Sequence, residues 1–312
     1  MKRVLSAYLA LLVIGAAWGL SAPVIRFVTG QGFDPMAVLM WQSLVNAVVV
    51  GGALVAMGRL RVLPLDAPHL RLYAVVGLAG MALPAWASYS ATANLPAGIV
   101  SIVISLVPMF ALPMALVLGT ERFAPRRLAG VALGGLAMVL LIAPDASLPA
   151  PGLWVWVLVA ALAPFLYAVE GAYVHRTAAR RADPVQTLAM GYVFGLGFAV
   201  PMRWLQGGAL WPEGVAWWVG GAFVLSGLLG IGAYAGYLVL LRRTGPVFGA
   251  QVAYAVTGMG IVWSMLLLDE RYSPWIWGAL ALLFAGLALV QPAGAVTAVM
   301  RDMEKEASDA RV

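Results

Sequence analysis

The chain has 312 residues, of which 63% are hydrophobic and only 10% charged, with a formal net charge of +6 and no cysteine. Soluble domains carry about 25% charged residues, so no water-soluble core could hide this much apolar surface, and the solvent must be lipid. The missing cysteines exclude disulfides, thiolate metal sites and cysteine nucleophiles.

A membrane span needs about 20 apolar residues. Ten segments qualify, near 6–28, 36–57, 70–92, 97–119, 127–143, 153–175, 185–204, 215–240, 247–268 and 274–292. Lys2 and Arg3 precede the first as they would a signal peptide, but the apolar run continues past the length of a signal and reads as a true span. It holds Trp18-Gly19, Pro23 and Arg26. The second follows Asp34-Pro35 and carries Trp41, Gln42 and Asn46. The third contains Pro84, Trp86 and Tyr89, and the fourth contains Pro108 and Pro113 before ending at Glu121. The sixth holds Pro164, Tyr167 and Glu170. Gly191 and Gly195 lie in the seventh, Tyr234 and Tyr237 in the eighth, and Gln251, Tyr254 and Gly258 in the ninth. The short linkers leave no room for a soluble domain.

Landmarks recur. Asp34-Pro35 answers Asp183-Pro184, and Glu121-Arg122-Phe123 answers Glu270-Arg271-Tyr272, both at a spacing of 149. Gly77 and Gly80 answer Gly227 and Gly230 at 150, Pro96 answers Pro246 at 150, and Gly130 answers Gly278 at 148. Residues 1–145 and 150–292 therefore read as two copies of one five-span unit, followed by a charged cytoplasmic tail at 293–312. An odd number of spans turns the second copy over. The expected fold is an all-α integral membrane protein of ten transmembrane helices, arranged as two inverted five-helix repeats around a central cavity.

With the N-terminus placed in the cytoplasm, every Lys and Arg except Arg26, Arg203 and Arg271 falls inside, which is sixteen of 19. That is the positive-inside rule. It places both termini in the cytoplasm and explains the basic charge without nucleic acid as a partner.

With these residues in view the chain resembles the drug/metabolite transporter superfamily, in its ten-span EamA-type branch. The resemblance rests on Trp18-Gly19, on Ala97-Gly98-Ile99-Val100 through Pro108 to Gly119-Thr120-Glu121, and on Arg127, Gly130, Leu133 and Gly135. The second copy repeats it more loosely, from Gly249 through Asp269-Glu270 to Gly278 and Gly286, with Gly258 where Pro108 stands in the first. The resemblance implies a basket of helices around a central cavity, with peripheral fifth and tenth spans. It also implies export or exchange of small metabolites, often amino acids.

Of the 13 acidic residues only Glu170 lies within a span. An ionisable group there is costly and usually faces a cavity or a partner. Glu170 can bind a cationic group of the substrate or a coupling proton, or it can be a structural carboxylate; both readings stay open. Its repeat counterpart is Ser21. Arg26 is a candidate outer gate for a substrate carboxylate, or snorkels to the headgroups. Glu121 and Glu270 read as interface anchors or loop-fixing pairs.

Trp86 with Tyr89, Tyr234 with Tyr237, and Gln251 with Tyr254 each stand three apart and share a helix face. Gln42 and Asn46 stand four apart beside Trp41. With Tyr167 and Glu170 these are the expected substrate-binding residues, an aromatic lining suited to a small amphipathic ligand or to a cation held over rings. Trp154, Trp156, Trp211, Trp217, Trp218, Trp275 and Trp277 belong to the interfacial belt. Pro23, Pro84, Pro108, Pro113, Pro164 and Gly258 are candidate hinges.

There is no P-loop, no cluster of metal ligands and no nucleophile–base arrangement, so no cofactor and no enzymatic activity are expected. The leading expectation is a secondary transporter of the bacterial inner membrane, most often an amino-acid exporter. Uptake of a quaternary ammonium compound is the alternative, and a lipid-acting intramembrane enzyme is the expectation of another class. The expected partners are a small-molecule substrate and the lipid bilayer, with a monomer sufficient for both.

Overall fold

The computed structural model describes residues 2–143, 147–176, 182–249 and 251–290. The charged tail at 293–312 and the basic pair Arg180 and Arg181 lie outside the described residues. Within them the chain is a helical bundle of ten principal helices: α1 (Leu5–Gly30), α2 (Pro35–Ala56), α3 (Ala67–Asn94), α4 (Ala97–Val117), α5 (Pro125–Ile142), α6 (Trp154–Arg176), α7 (Pro184–Leu205), α8 (Gly220–Gly249), α9 (Val252–Leu268) and α10 (Pro274–Val290). Eight segments are long and apolar enough to cross a bilayer, and α9 and α10, at 17 residues each, are shorter apolar helices. At 1.5 Å per residue the short pair still reaches about 25 Å, close to the hydrocarbon thickness.

The helix starts follow from local chemistry. The first N–H groups of a helix have no partner within it. Asp34 supplies one, accepting from Met36 N–H at 2.8 Å, and Pro35 occupies the first turn, where its missing N–H costs nothing. Asp183-Pro184 repeats the device, the Asp183 carboxylate accepting from Val185 and Gln186 at 2.8 and 3.2 Å.

Prolines interrupt the other helices where the missing donors require it. α1 turns at Leu20 just ahead of Pro23, and α4 is broken at Ser105–Leu106 before Pro108. α3 is wound as a π-helix over Val76–Ala82 ahead of Pro84. Pro113 and Pro164 are carried inside α4 and α6, and Gly258 lies in α9 with open space around it. One expected break is displaced: α8 continues through Pro246 to Gly249, and α9 begins at Val252. The run Leu240-Leu241-Arg242-Arg243 favours helix, and Thr244 Oγ1 bonds back to Leu240 O at 2.9 Å.

Packing pairs exchange when the two copies are exchanged. α2 lies on α7 and α5 on α10; α1 packs on α8 and α9 as α6 packs on α3 and α4. The self-paired helices run antiparallel. Arg203 at the end of α7 lies 3.5 Å from Asp34 at the start of α2, and Arg59 beyond the end of α2 lies 2.8 Å from Asp183 at the start of α7. Likewise Arg127 in the first turn of α5 donates to Val290 O at the end of α10, 3.0 Å away. The α5–α10 crossing is backbone on backbone: a Cβ on Gly130 would stand 2.6 Å from Gly286 O, and one on Gly286 2.7 Å from Gly130 O. The largest core cluster centres on α4, with Leu95, Ile99, Val103 and Leu106 buried against Leu141, Val157 and Leu283.

Candidate functional site

A cavity of about 760 Å³ opens into the bundle between α1, α3, α4, α6, α7, α8 and α9. Its mouth lies where α3 and α7 begin and α6 ends, at Leu72, Val174 and Pro184. Its depth is lined by Trp18, Ser21, Ser101, Tyr167, Glu170, Tyr192 and Tyr234. The volume suits a small solute.

Glu170 is the only charged side chain among the described residues of that lining. Its place follows from α3. A Cβ on Gly80 would come within 2.9 Å of Glu170 Cγ, so the side chain fits there because α3 presents a bare backbone. Gly80 lies in the π-helical stretch ahead of Pro84. Trp18 extends the aromatic wall, its ring centroid 6.5 Å from Tyr234 and 5.8 Å from Tyr237.

The structure brings together three of the expected substrate residues, Tyr167, Glu170 and Tyr234, in the cavity wall. Tyr237 is held behind Trp18 in the α1–α8 contact. Trp86 and Tyr89 pack with Trp41 against α2 and α7, and Trp41 Nε1 donates to Leu210 O at 2.8 Å. Gln42 Nε2 donates to Asn46 Oδ1 at 3.2 Å and, more weakly, to Phe223 O at 3.4 Å; both amides face the backbone of Gly227. Tyr254 stacks on Phe284, with centroids 5.4 Å apart, and Gln251 precedes the first turn of α9. Residue reasoning did not select Trp18, Ser101, Thr187 or Tyr192 for the lining. Trp18 and Ser21 carried signals, one in the family motif and one as the counterpart of Glu170.

Arg26 lies outside the cavity. Its Nη1 donates to Thr92 O at 2.9 Å and Ala93 O at 2.7 Å, holding the last carbonyls of α3, where a cation is favoured by the helix dipole. It shares a shallow recess with Pro96, Leu268 and Glu270. There the Glu270 carboxylate accepts from Ala97 N–H at 2.7 Å and Gly98 N–H at 3.2 Å, capping α4. Tyr272 Oη donates to Glu270 Oε2 at 2.5 Å, and burial together with that carboxylate pushes the Tyr272 hydroxyl well above the ordinary tyrosine range. A Cβ on Gly98 would collide with Tyr272 Oη, so only glycine admits the ring there. Arg26, the α3–α4 turn and Glu270 thus tie three segments at the end of the bundle opposite the cavity mouth.

Many apolar helices around a solute-sized chamber define a multi-pass membrane protein. The EamA-like transporter family matches residues 5–143 and 154–291, one repeat unit each. The chain belongs to that family, within the drug/metabolite transporter superfamily, whose members are small-molecule transporters. A solved crystal structure superposes with a TM-score of 0.62 over 91% of this chain and 96% of that one at 22% identity, which establishes a shared fold. No curated protein matches the chain.

Proposed function

We propose that the protein is a secondary transporter of small cationic amines, working by alternating access between two inverted five-helix repeats. The observation that carries the substrate class is the cavity wall: one carboxylate, Glu170, beside Trp18, Tyr167, Tyr192 and Tyr234, with no basic side chain among its described lining residues. A carboxylate neutralises an ammonium group, and the aromatic faces attract it further. Amino-acid export keeps the ammonium on Glu170, but among the described lining it leaves a carboxylate no cation, only neutral donors such as the hydroxyls of Ser21, Tyr167, Tyr192 and Tyr234, because Arg26 is engaged at α3.

The antiparallel α2–α7 and α5–α10 pairs support inversion of the repeats, with α9 and α10 as the ninth and tenth spans. The charge pattern supports a bacterial inner-membrane location with both termini in the cytoplasm, which makes the cavity mouth cytoplasmic. The sequence carries no ATP-binding signature, so a gradient or exchange supplies the drive.

A thermal-shift competition on purified protein across quaternary amines, primary amines, amino acids, sugars and nucleosides tests the class, followed by flux of the best binder in proteoliposomes. Amines are expected to stabilise the protein and E170Q to abolish the shift. Stabilisation by anionic or neutral solutes alone, or an undiminished amine shift in E170Q, overturns the assignment.

A further inference from the structure

Glu121 and Glu270 are launched by the same backbone. Glu121 N–H closes back on Ala115 O at 3.3 Å and Glu270 N–H on Ser264 O at 3.4 Å, so both the donors and the acceptors are 149 residues apart. Their side chains go to different places. Glu270 crosses to the other repeat and caps α4 at Ala97 and Gly98, just beyond the break between helices at Leu95-Pro96. Glu121 stays within its own repeat, half-exposed, on Arg127 at 2.8 Å. The corresponding destination, the start of α9 at Val252, carries no side-chain cap, and α8 runs helical through Pro246 to Gly249 ahead of it. The closed end of the bundle thus has a capped helix start, and the end with the cavity mouth has an uncapped one.

Two copies of one sequence unit are therefore held in two conformations, and we infer that they exchange them: Glu121 and Glu270 are alternating helix caps that latch whichever end of the bundle is closed. When the cavity opens to the other side, Glu270 releases the N–H groups of Ala97 and Gly98 and the α3–α4 turn loses its tie. The α8 helix then breaks ahead of Pro246, a residue that cannot donate within a helix. Glu121 leaves Arg127 for the newly exposed N–H groups near Phe248, which answers Gly98 at the spacing of Pro96 and Pro246. This rests on the alternating-access reading above.

The native chain has no cysteine, so Ser21→Cys places a single thiol in the cavity wall. Its labelling by a membrane-impermeant maleimide is followed separately from each face of oriented vesicles, with no substrate present. In this background E270Q is expected to speed labelling from the α4-start face by about fivefold, the scale of one lost helix cap. E121Q is expected to slow labelling from that face by a similar factor, and the double variant to return near the starting rate. Glu121 is half-exposed, so its variant tests the exchange even if E270Q folds poorly. Labelling from both faces that ignores E121Q overturns the cap exchange and leaves alternating access standing. Labelling from one face in every variant overturns both.

Discussion

At the start of α2 Asp34 accepts from Met36 N–H, and at the start of α7 Asp183 accepts from Val185 and Gln186, so an Asp-Pro pair begins both helices by one device. Deeper in the bundle the copies part company: Ser21 on α1 and Glu170 on α6, counterparts at a spacing of 149, face the same cavity with different chemistry. Positions that recur unchanged answer to helix formation, which both copies need. On the proposed reading, the positions that differ are where a solute would meet two unlike walls and need only one charge.

The sharpest way to break that contrast is to move the charge. In E170S, amine binding is expected to fall by about 2–5 kcal/mol, the scale of removing one partner from a desolvated charge pair. In the double variant S21E/E170S, titration calorimetry is expected to recover part of that loss, because the carboxylate has only changed walls. No recovery would mean that the α6 geometry matters beyond the charge.

Next come the counterpart glycines of α3 and α8. A Cβ on Gly77 would meet Gly191 O at 2.6 Å, whereas one on Gly227 would meet Asn46 Oδ1 at 2.5 Å and Gln42 Nε2 at 3.0 Å. Backbone cannot yield as side-chain amides can. G77A is expected to cost about 1–3 kcal/mol and G227A less, read as thermal unfolding midpoints in one detergent. Equal losses would show that the buried Gln42–Asn46 pair is as rigid as backbone.

The smallest effects fall on the shared device. D34A and D183A are each expected to cost about 1 kcal/mol, with D183A the larger because Arg59 lies 2.8 Å from Asp183 whereas Arg203 stands 3.5 Å from Asp34. A difference of several-fold between them would break the equivalence of the two helix starts.

Much of this bundle is legible from residues alone, because turns and helix starts use chemistry that lipid does not mask: Asp34-Pro35, Asp183-Pro184 and the paired glutamates all stand where spacing places them. Glu170 is conspicuous as the one carboxylate inside a span. The rest of the lining is not. A helix in lipid is apolar all round, so hydrophobic periodicity cannot say which side of α1 or α7 turns inward, and Trp18 and Tyr192 carry no directional signal. The spacing of Trp86 and Tyr89 puts them on one face of α3 without saying which way that face turns, and they pack on α2 and α7. The extent of α8 is hidden for a different reason, since Pro246 suggests a break where the backbone stays helical to Gly249.

The tie among Arg26, the α3–α4 turn, Glu270 and Tyr272 has a kinetic consequence. On the proposed alternating-access cycle, an empty carrier would have to undo those charge-assisted bonds unaided before it could turn over, whereas a loaded one could offset them with the binding energy of its cargo. Reorientation of the vacant protein then becomes the slow leg of the cycle, and solute supplied on the far side, by loading the returning carrier, would accelerate efflux of solute from the near side.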